Sequence, residues 1–187
     1  MSKGQLFLIV GNSGSGKDAL IKEALDHWPA NLPPVKIPRR YITRPPHETE
    51  PFISVTEDEF KKLKADGKFC LDWFIYDLYY GVPDEIMNWV ENGDLVLVNV
   101  SRNIIPEARK KYPEMKLIFV SVPFEITQSR VKSRGRESEN DPVFKERIER
   151  AKQHQEQNDA DFIVDNSGAL EIGATKLREY LLSYVKK

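Results

Sequence analysis

Cysteine is nearly missing from this chain of 187 residues, with Cys70 as its one example. A single thiol closes no internal disulfide, which excludes a disulfide-stapled scaffold and suits a reducing compartment. Its neighbours Phe69 and Leu71 place it in a core strand. Histidine is also scarce, three in all, and no Cys/His cluster has the spacing of a zinc site. His27 and His154 read as surface helix residues, Trp73 and Trp89 as core. Long apolar runs are missing too: Leu6–Val10 is too short for a signal peptide or a membrane span. Nor does one sign of charge prevail. The 28 basic and 29 acidic side chains nearly cancel, so composition favours neither nucleic acid nor membrane as a partner. There are no repeats and no low-complexity segments. What is left is a soluble, cytoplasmic protein of one ordinary domain, 40% hydrophobic and able to bury a sizeable core.

Charge is balanced but unevenly spread. Between His27 and His47 stand Lys36, Arg39, Arg40 and Arg44 with no acid among them. A second basic run holds Arg130, Lys132, Arg134, Arg136, Lys145, Arg147 and Arg150, diluted by Glu137, Glu139, Asp141, Glu146 and Glu149.

The hydrophobic period changes repeatedly along the chain. Leu6–Val10 reads as a buried strand, and Asp18–Trp28 as a helix with the stripe Leu20, Ile21, Ala24 and Leu25. Pro29, Pro33 and Pro34 end it. Two β-rich pieces follow, Val35–Thr43 and Phe69–Val82, so residues 35–82 are expected to form a strand-rich inserted subdomain. Within it Thr56 to Glu59 is a capping box opening a short helix, which Gly67 ends. Pro83 is expected to open a helix running to Asn92, closed by Gly93. Leu95–Asn99, Lys116–Val122 and Phe162–Val164 read as strands. Phe124–Arg134, Pro142–Asn158 and Leu170–Val185 read as helices, the first two joined by a hinge over Gly135–Asp141. Strands alternating with helices predict an α/β fold with a parallel sheet flanked by helices.

The chemistry is carried first by Gly11-Asn12-Ser13-Gly14-Ser15-Gly16-Lys17, which fits G-x-x-x-x-G-K. Such glycines let successive backbone N–H groups turn toward phosphate oxygens, and the helix start adds its partial positive charge. Lys17 supplies a point charge for the β- and γ-phosphates. The pattern arises by chance in roughly a few per cent of chains this long, and the strand before it and helix after it cut that further. ATP binding is expected. Asp18 stands where a hydroxyl usually helps to hold Mg²⁺, and the strand Leu95–Asn99 ends in Asn99 rather than an acid. The Asp18 carboxylate is either a Mg²⁺ ligand making up for both or a favourable acid in a helix first turn.

On the acceptor side, Arg39-Arg40-Tyr41-Ile42-Thr43-Arg44-Pro45 is either a second anion site or an exposed basic strand. Leu78-Tyr79-Tyr80-Gly81-Val82 is either part of that site or a packed aromatic turn. In order, these pieces together with Leu95 to Arg102 and Arg130 to Glu137 resemble the guanylate-kinase-like group of P-loop kinases over almost the whole chain. Within the group they look most like the ribose 1,5-bisphosphate phosphokinases of phosphonate breakdown. Departures from true guanylate kinases are His47 where a second arginine is expected, Phe52 for a tyrosine, Val82 for a hydroxyl residue and Asn99 for an acid. The resemblance implies that Asp72 is a retained guanine-contacting acid, although it stands one residue short of the expected spacing to Tyr79-Tyr80. Phosphate-binding arginines are thus kept while several base-reading polar groups are lost, which suits a sugar phosphate.

The resemblance implies transfer of the γ-phosphoryl of ATP to ribose 1,5-bisphosphate. It assigns Arg39, Arg40, Arg44, Tyr80, Asp72 and Arg136 to the acceptor, and a mobile lid to residues 130–147. Arg130, Arg134, Arg136 and Arg147 are either lid arginines over the transferring group or a solvated helix face, with Arg134 and Arg147 joining Lys17 as expected catalytic groups. Asp165-Asn166, after the last strand, is expected near the adenine. A GMP kinase and a non-catalytic guanylate-kinase-like module are the alternatives; the intact loop speaks against the second.

Overall fold

The computed structural model describes residues 4–46, 51–133 and 138–185. His47, Arg134, Gly135 and Arg136 lie outside the described residues. In chain order the elements are β1 (Gln5–Val10), α1 (Lys17–Asp26), β2 (Tyr41–Ile42), β3 (Ile53–Ser54), α2 (Glu57–Ala65), β4 (Phe69–Ile75) and β5 (Leu78–Pro83). There follow α3 (Ile86–Glu91), β6 (Leu95–Asn99), a 3-10 turn at Arg102–Ile104, α4 (Ile105–Lys111), β7 (Lys116–Ser121), α5 (Phe124–Ser133), α6 (Pro142–Gln153), β8 (Phe162–Asp165) and α7 (Leu170–Leu182). They form two compact units, Met1–Leu6 with Val35–Met115, and Phe7–Pro34 with Lys116–Lys187.

One sheet has the strand order β6-β1-β7-β8. β7 runs parallel to both β1 and β8, with Phe7 beside Lys116 and Ile118 beside Phe162. Leu6 to Val10 are all buried, as a strand covered on both faces requires. In the unit of Phe7–Pro34 and Lys116–Lys187, α7 packs on α1. Tyr180 lies flat on Phe162 at 4.2 Å, and Tyr184 meets Phe7 edge-on at 5.0 Å.

The second sheet has the order β3-β2-β5-β4. β4 and β5 are antiparallel, joined through Tyr76 and Asp77 with φ of 53° and 57°, the backbone hand that a tight hairpin turn needs. α2 covers one face through Phe60, whose ring meets Phe69 at 4.7 Å and Tyr79 at 5.3 Å. Cys70 of β4 is buried. Burial, followed by the charge of Asp84, pushes its thiol up to about 12, so it remains protonated at neutral pH.

Four local expectations change. Pro83 ends β5 instead of opening α3. It lies beyond Tyr80 and Gly81, the two residues paired with β2, so its missing N–H breaks no ladder there. Val35–Thr43 is no continuous strand: Lys36 bridges Val96, and regular pairing resumes only at Tyr41 beyond Pro38. α6 stops at Gln153, five residues before Asn158. Trp89 is half-buried, with the Lys36 ammonium 5.3 Å from its ring centre. Among the described residues no helix is long and apolar enough to cross a membrane.

The capping box forms as the sequence predicts. Thr56 N–H donates to Glu59 Oε2 at 2.7 Å, and Glu59 N–H to Thr56 Oγ1 at 3.2 Å. Thr56→Ala should cost about 1 kcal/mol, measured as a lower urea midpoint. The hydrogen bond from the Thr56 backbone holds the Glu59 carboxyl below its ordinary value. The Glu59 contribution is therefore present above the ordinary glutamate value and is lost as pH falls through the lowered one. Glu59→Gln should shrink this acid-side loss in a pH series of urea melts.

Candidate functional site

The loop between β1 and α1 is built around two glycines in the left-handed region, Gly14 with φ +85° and Gly16 with φ +79°. Added side chains would also collide there, with the Thr127 carbonyl at 2.8 Å and Asn166 Nδ2 at 2.7 Å. No other residue type fits both the backbone and the space. Gly16 is the N-cap of α1 and supplies no side-chain cap, so the first-turn N–H groups remain a ready anion site. Lys17 Nζ folds back over the loop, donating to the carbonyls of Gly11 at 2.7 Å and Asn12 at 3.3 Å and to Ser15 Oγ at 3.3 Å.

Side chains from three later elements converge on this loop within the same unit. Asn166, 3% exposed just past β8, donates its amide to the Ser15 carbonyl at 2.8 Å. Arg130 of α5 donates to the Asn166 carbonyl at 3.1 Å. Arg147 of α6 donates to Ser13 Oγ at 3.0 Å. Asn12 turns its amide away from the loop toward the end of α6. Next to Asn166, hydrogen bonds from Ser167 hold the Asp165 carboxyl below its ordinary value. Asp18 is exposed in the first turn of α1. Among the described residues no group of three or more His, Cys, Asp or Glu could hold a metal ion. Mg²⁺ in nucleotide sites is held by substrate phosphates, water and one or two protein oxygens, so a single exposed carboxylate fits that chemistry.

In the other unit, β2 brings the basic segment beside β5. Thr43 and Tyr79 exchange backbone and hydroxyl hydrogen bonds. Arg40 donates to the Asn99 carbonyl at 3.1 Å and lies 5.9 Å from the Tyr80 ring centre. Tyr80 stacks on buried Trp73 at 5.3 Å with planes 3° apart. Arg44 sits 4.7 Å from the Phe52 ring centre, and Arg39 donates to the Phe52 carbonyl at 3.2 Å. Phe52 thus supports two arginines.

Asp72 does not join this group. Trp73 pairs with Tyr80 and Asp72 with Gly81, so alternation puts the Asp72 side chain on the opposite face of the hairpin from Tyr80. There it pairs with Lys64 of α2 at 2.6 Å. It is the strand register that decides this face, because neighbouring strand residues point to opposite sides. Sequence reasoning passed over Trp73 and Phe52 as partners of the site, since a buried aromatic gives no sign of what it supports.

A sequence model of the family described as guanylate kinase matches residues 3–184. A ribose 1,5-bisphosphate phosphokinase PhnN of Thiobacillus denitrificans is 38% identical over 97% of this chain and 94% of its own. One from Pectobacterium atrosepticum is 35% identical over 89% of this chain and 88% of its own. The crystal structure of guanylate kinase from Anaplasma phagocytophilum superposes with a TM-score of 0.73 at 16% identity, covering 100% of this chain and 88% of the other. That last likeness is one of fold.

Asn166→Ala should leave the Ser15 carbonyl without its buried donor and cost about 1–3 kcal/mol. Thermal denaturation of the variant checks this.

Proposed function

The chain belongs to the guanylate kinase family, and on that premise we propose that it transfers the γ-phosphoryl group of ATP to the 1-phosphate of ribose 1,5-bisphosphate. The products are ADP and phosphoribosyl pyrophosphate. The observation that carries the choice of acceptor is the near full-length likeness to ribose 1,5-bisphosphate phosphokinases. The position of Asp72 supports it: an acid that would read a base is turned away from Tyr80 and neutralised by Lys64.

The nucleophile is a phosphate oxygen. A phosphate monoester has a second pKa of about 6 and is mostly dianionic at neutral pH, so no side chain has to remove a proton. A bond forms between that oxygen and the γ-phosphorus as the bond to the β–γ bridging oxygen breaks, its electrons leaving on ADP. The chemical difficulty is bringing polyanions together, and fixed cations with accurate positioning are what lower the barrier. Lys17 and the loop N–H groups bind the triphosphate; Arg130 and Arg147 add charge beside the loop. Arg39, Arg40, Arg44 and Tyr80 bind the acceptor, within a subdomain over residues 35–82. Arg134 and Arg136 belong to the same reading as cations of a lid over residues 130–147. When bound, Mg²⁺ offsets charge on the β- and γ-phosphates, and Asp18 is the carboxylate available to hold it.

An assay of ADP release compares the two acceptors. Turnover on ribose 1,5-bisphosphate with little on GMP is expected; strong GMP turnover with none on the sugar bisphosphate would overturn the reading. Arg40→Ala and Arg44→Ala should each raise the KM for the acceptor roughly tenfold or more, since each removes a charge-assisted phosphate contact. Asp18→Ala should raise the Mg²⁺ concentration needed for half-maximal turnover. An unchanged requirement would remove Asp18 from the metal site.

A further inference from the structure

The helix that carries Arg147 is tied to the phosphate loop at two separate places. Arg147 Nη1 donates to Ser13 Oγ at 3.0 Å. At the far end of α6, Asn12 Nδ2 donates to the carbonyls of Ala151 at 3.2 Å and His154 at 2.9 Å. The last carbonyls of a helix have no partner within it and need one from elsewhere. Glycine or asparagine commonly closes such an end, but here His154 and Gln155 stand there. His154 leaves the helix with φ −118° and ψ 64°. The cap comes instead from a loop residue 139 and 142 positions away in sequence.

That loop residue is also engaged with the phosphate-binding lysine. Lys17 Nζ donates to the carbonyl of Asn12 as well as that of Gly11. A triphosphate oxygen carries more charge than a carbonyl and draws the same ammonium more strongly. Asn12 therefore stands between two groups: its carbonyl accepts from Lys17, and its amide donates to the end of α6. The second tie, Arg147 to Ser13, lies on the same helix and the same loop.

We propose that Asn12 is a positioning residue that couples occupancy of the phosphate loop to the placement of Arg147, through its amide cap on α6. The side chain of Asn12 works on the helix; the nucleotide is met by the loop backbone, Lys17 and Arg147. The proposal rests on nucleotide binding at the loop and is independent of which acceptor is used.

The test is a double-mutant cycle on the full chain, reading ATP affinity by calorimetry without acceptor, for wild type, Asn12→Ala, Arg147→Ala and the double variant. Both single variants should bind ATP more weakly, and the double variant should be little worse than either. The departure from multiplicative effects should be at least about threefold. A cap that served only fold stability would lower the thermal midpoint of Asn12→Ala and leave the two effects multiplicative, and that result overturns the proposal. Asn12→Ser, which keeps a shorter donor, provides the same cycle should the alanine variant fail to fold. Coupling in a chain that does not phosphorylate ribose 1,5-bisphosphate upholds this proposal and overturns the acceptor reading.

Discussion

The buried hydrogen bond from the Asn166 amide to the Ser15 carbonyl is the constraint on which the nucleotide side depends. A loop that turns its N–H groups toward an anion must turn carbonyls the other way, and each buried carbonyl needs a donor. Asn166 supplies one, and Arg130 in turn holds the Asn166 carbonyl. The arrangement is tight enough that a Cβ on Gly16 would meet the Asn166 amide at 2.7 Å. Asn166, at the end of β8, is therefore tied to the start of α1 by its side-chain amide and to the last turn of α5 by its backbone carbonyl. Removing the amide would break the first tie and leave the second in place.

The second sheet depends on a different rule, the two-residue period of a strand. Trp73, Tyr80 and Arg40 lie in one stack on one face of the second sheet, while Asp72 and Lys64 lie on the other with α2. The stack gives the Arg40 guanidinium a flat aromatic support and, through the Asn99 carbonyl, a fixed hydrogen bond. Phe52 does similar work for Arg44 and Arg39. Cations held this way lose less conformational freedom on meeting a phosphate than they would on an open surface.

Much of this was legible in the sequence because it is local. Glycine spacing announced the loop, Thr56 and Glu59 announced their capping box, and alternating strands and helices announced the layered α/β fold. The two positive-φ glycines of the loop are Gly14 and Gly16, within the motif that sequence singled out. What was not legible is long-range. The amide of Asn12 meets α6, and that of Asn166 meets a carbonyl 151 positions away; no local pattern encodes such partners. Asp72 was ambiguous for a sharper reason. Its spacing gave a warning, but only the strand register shows which face it occupies. Pro83 misled because proline suits both a helix start and the end of a strand, and pairing alone decides between them.

The state of Cys70 bears on how this molecule is best studied. As the chain's one thiol it is enclosed and kept protonated, while thiol-directed dyes and spin labels react with exposed thiolates. The native protein is in effect silent to such reagents. A cysteine placed on the outer surface of α2 or α6 would be the single labelled position with no need to remove Cys70, giving fluorescence or paramagnetic probes an unmixed signal.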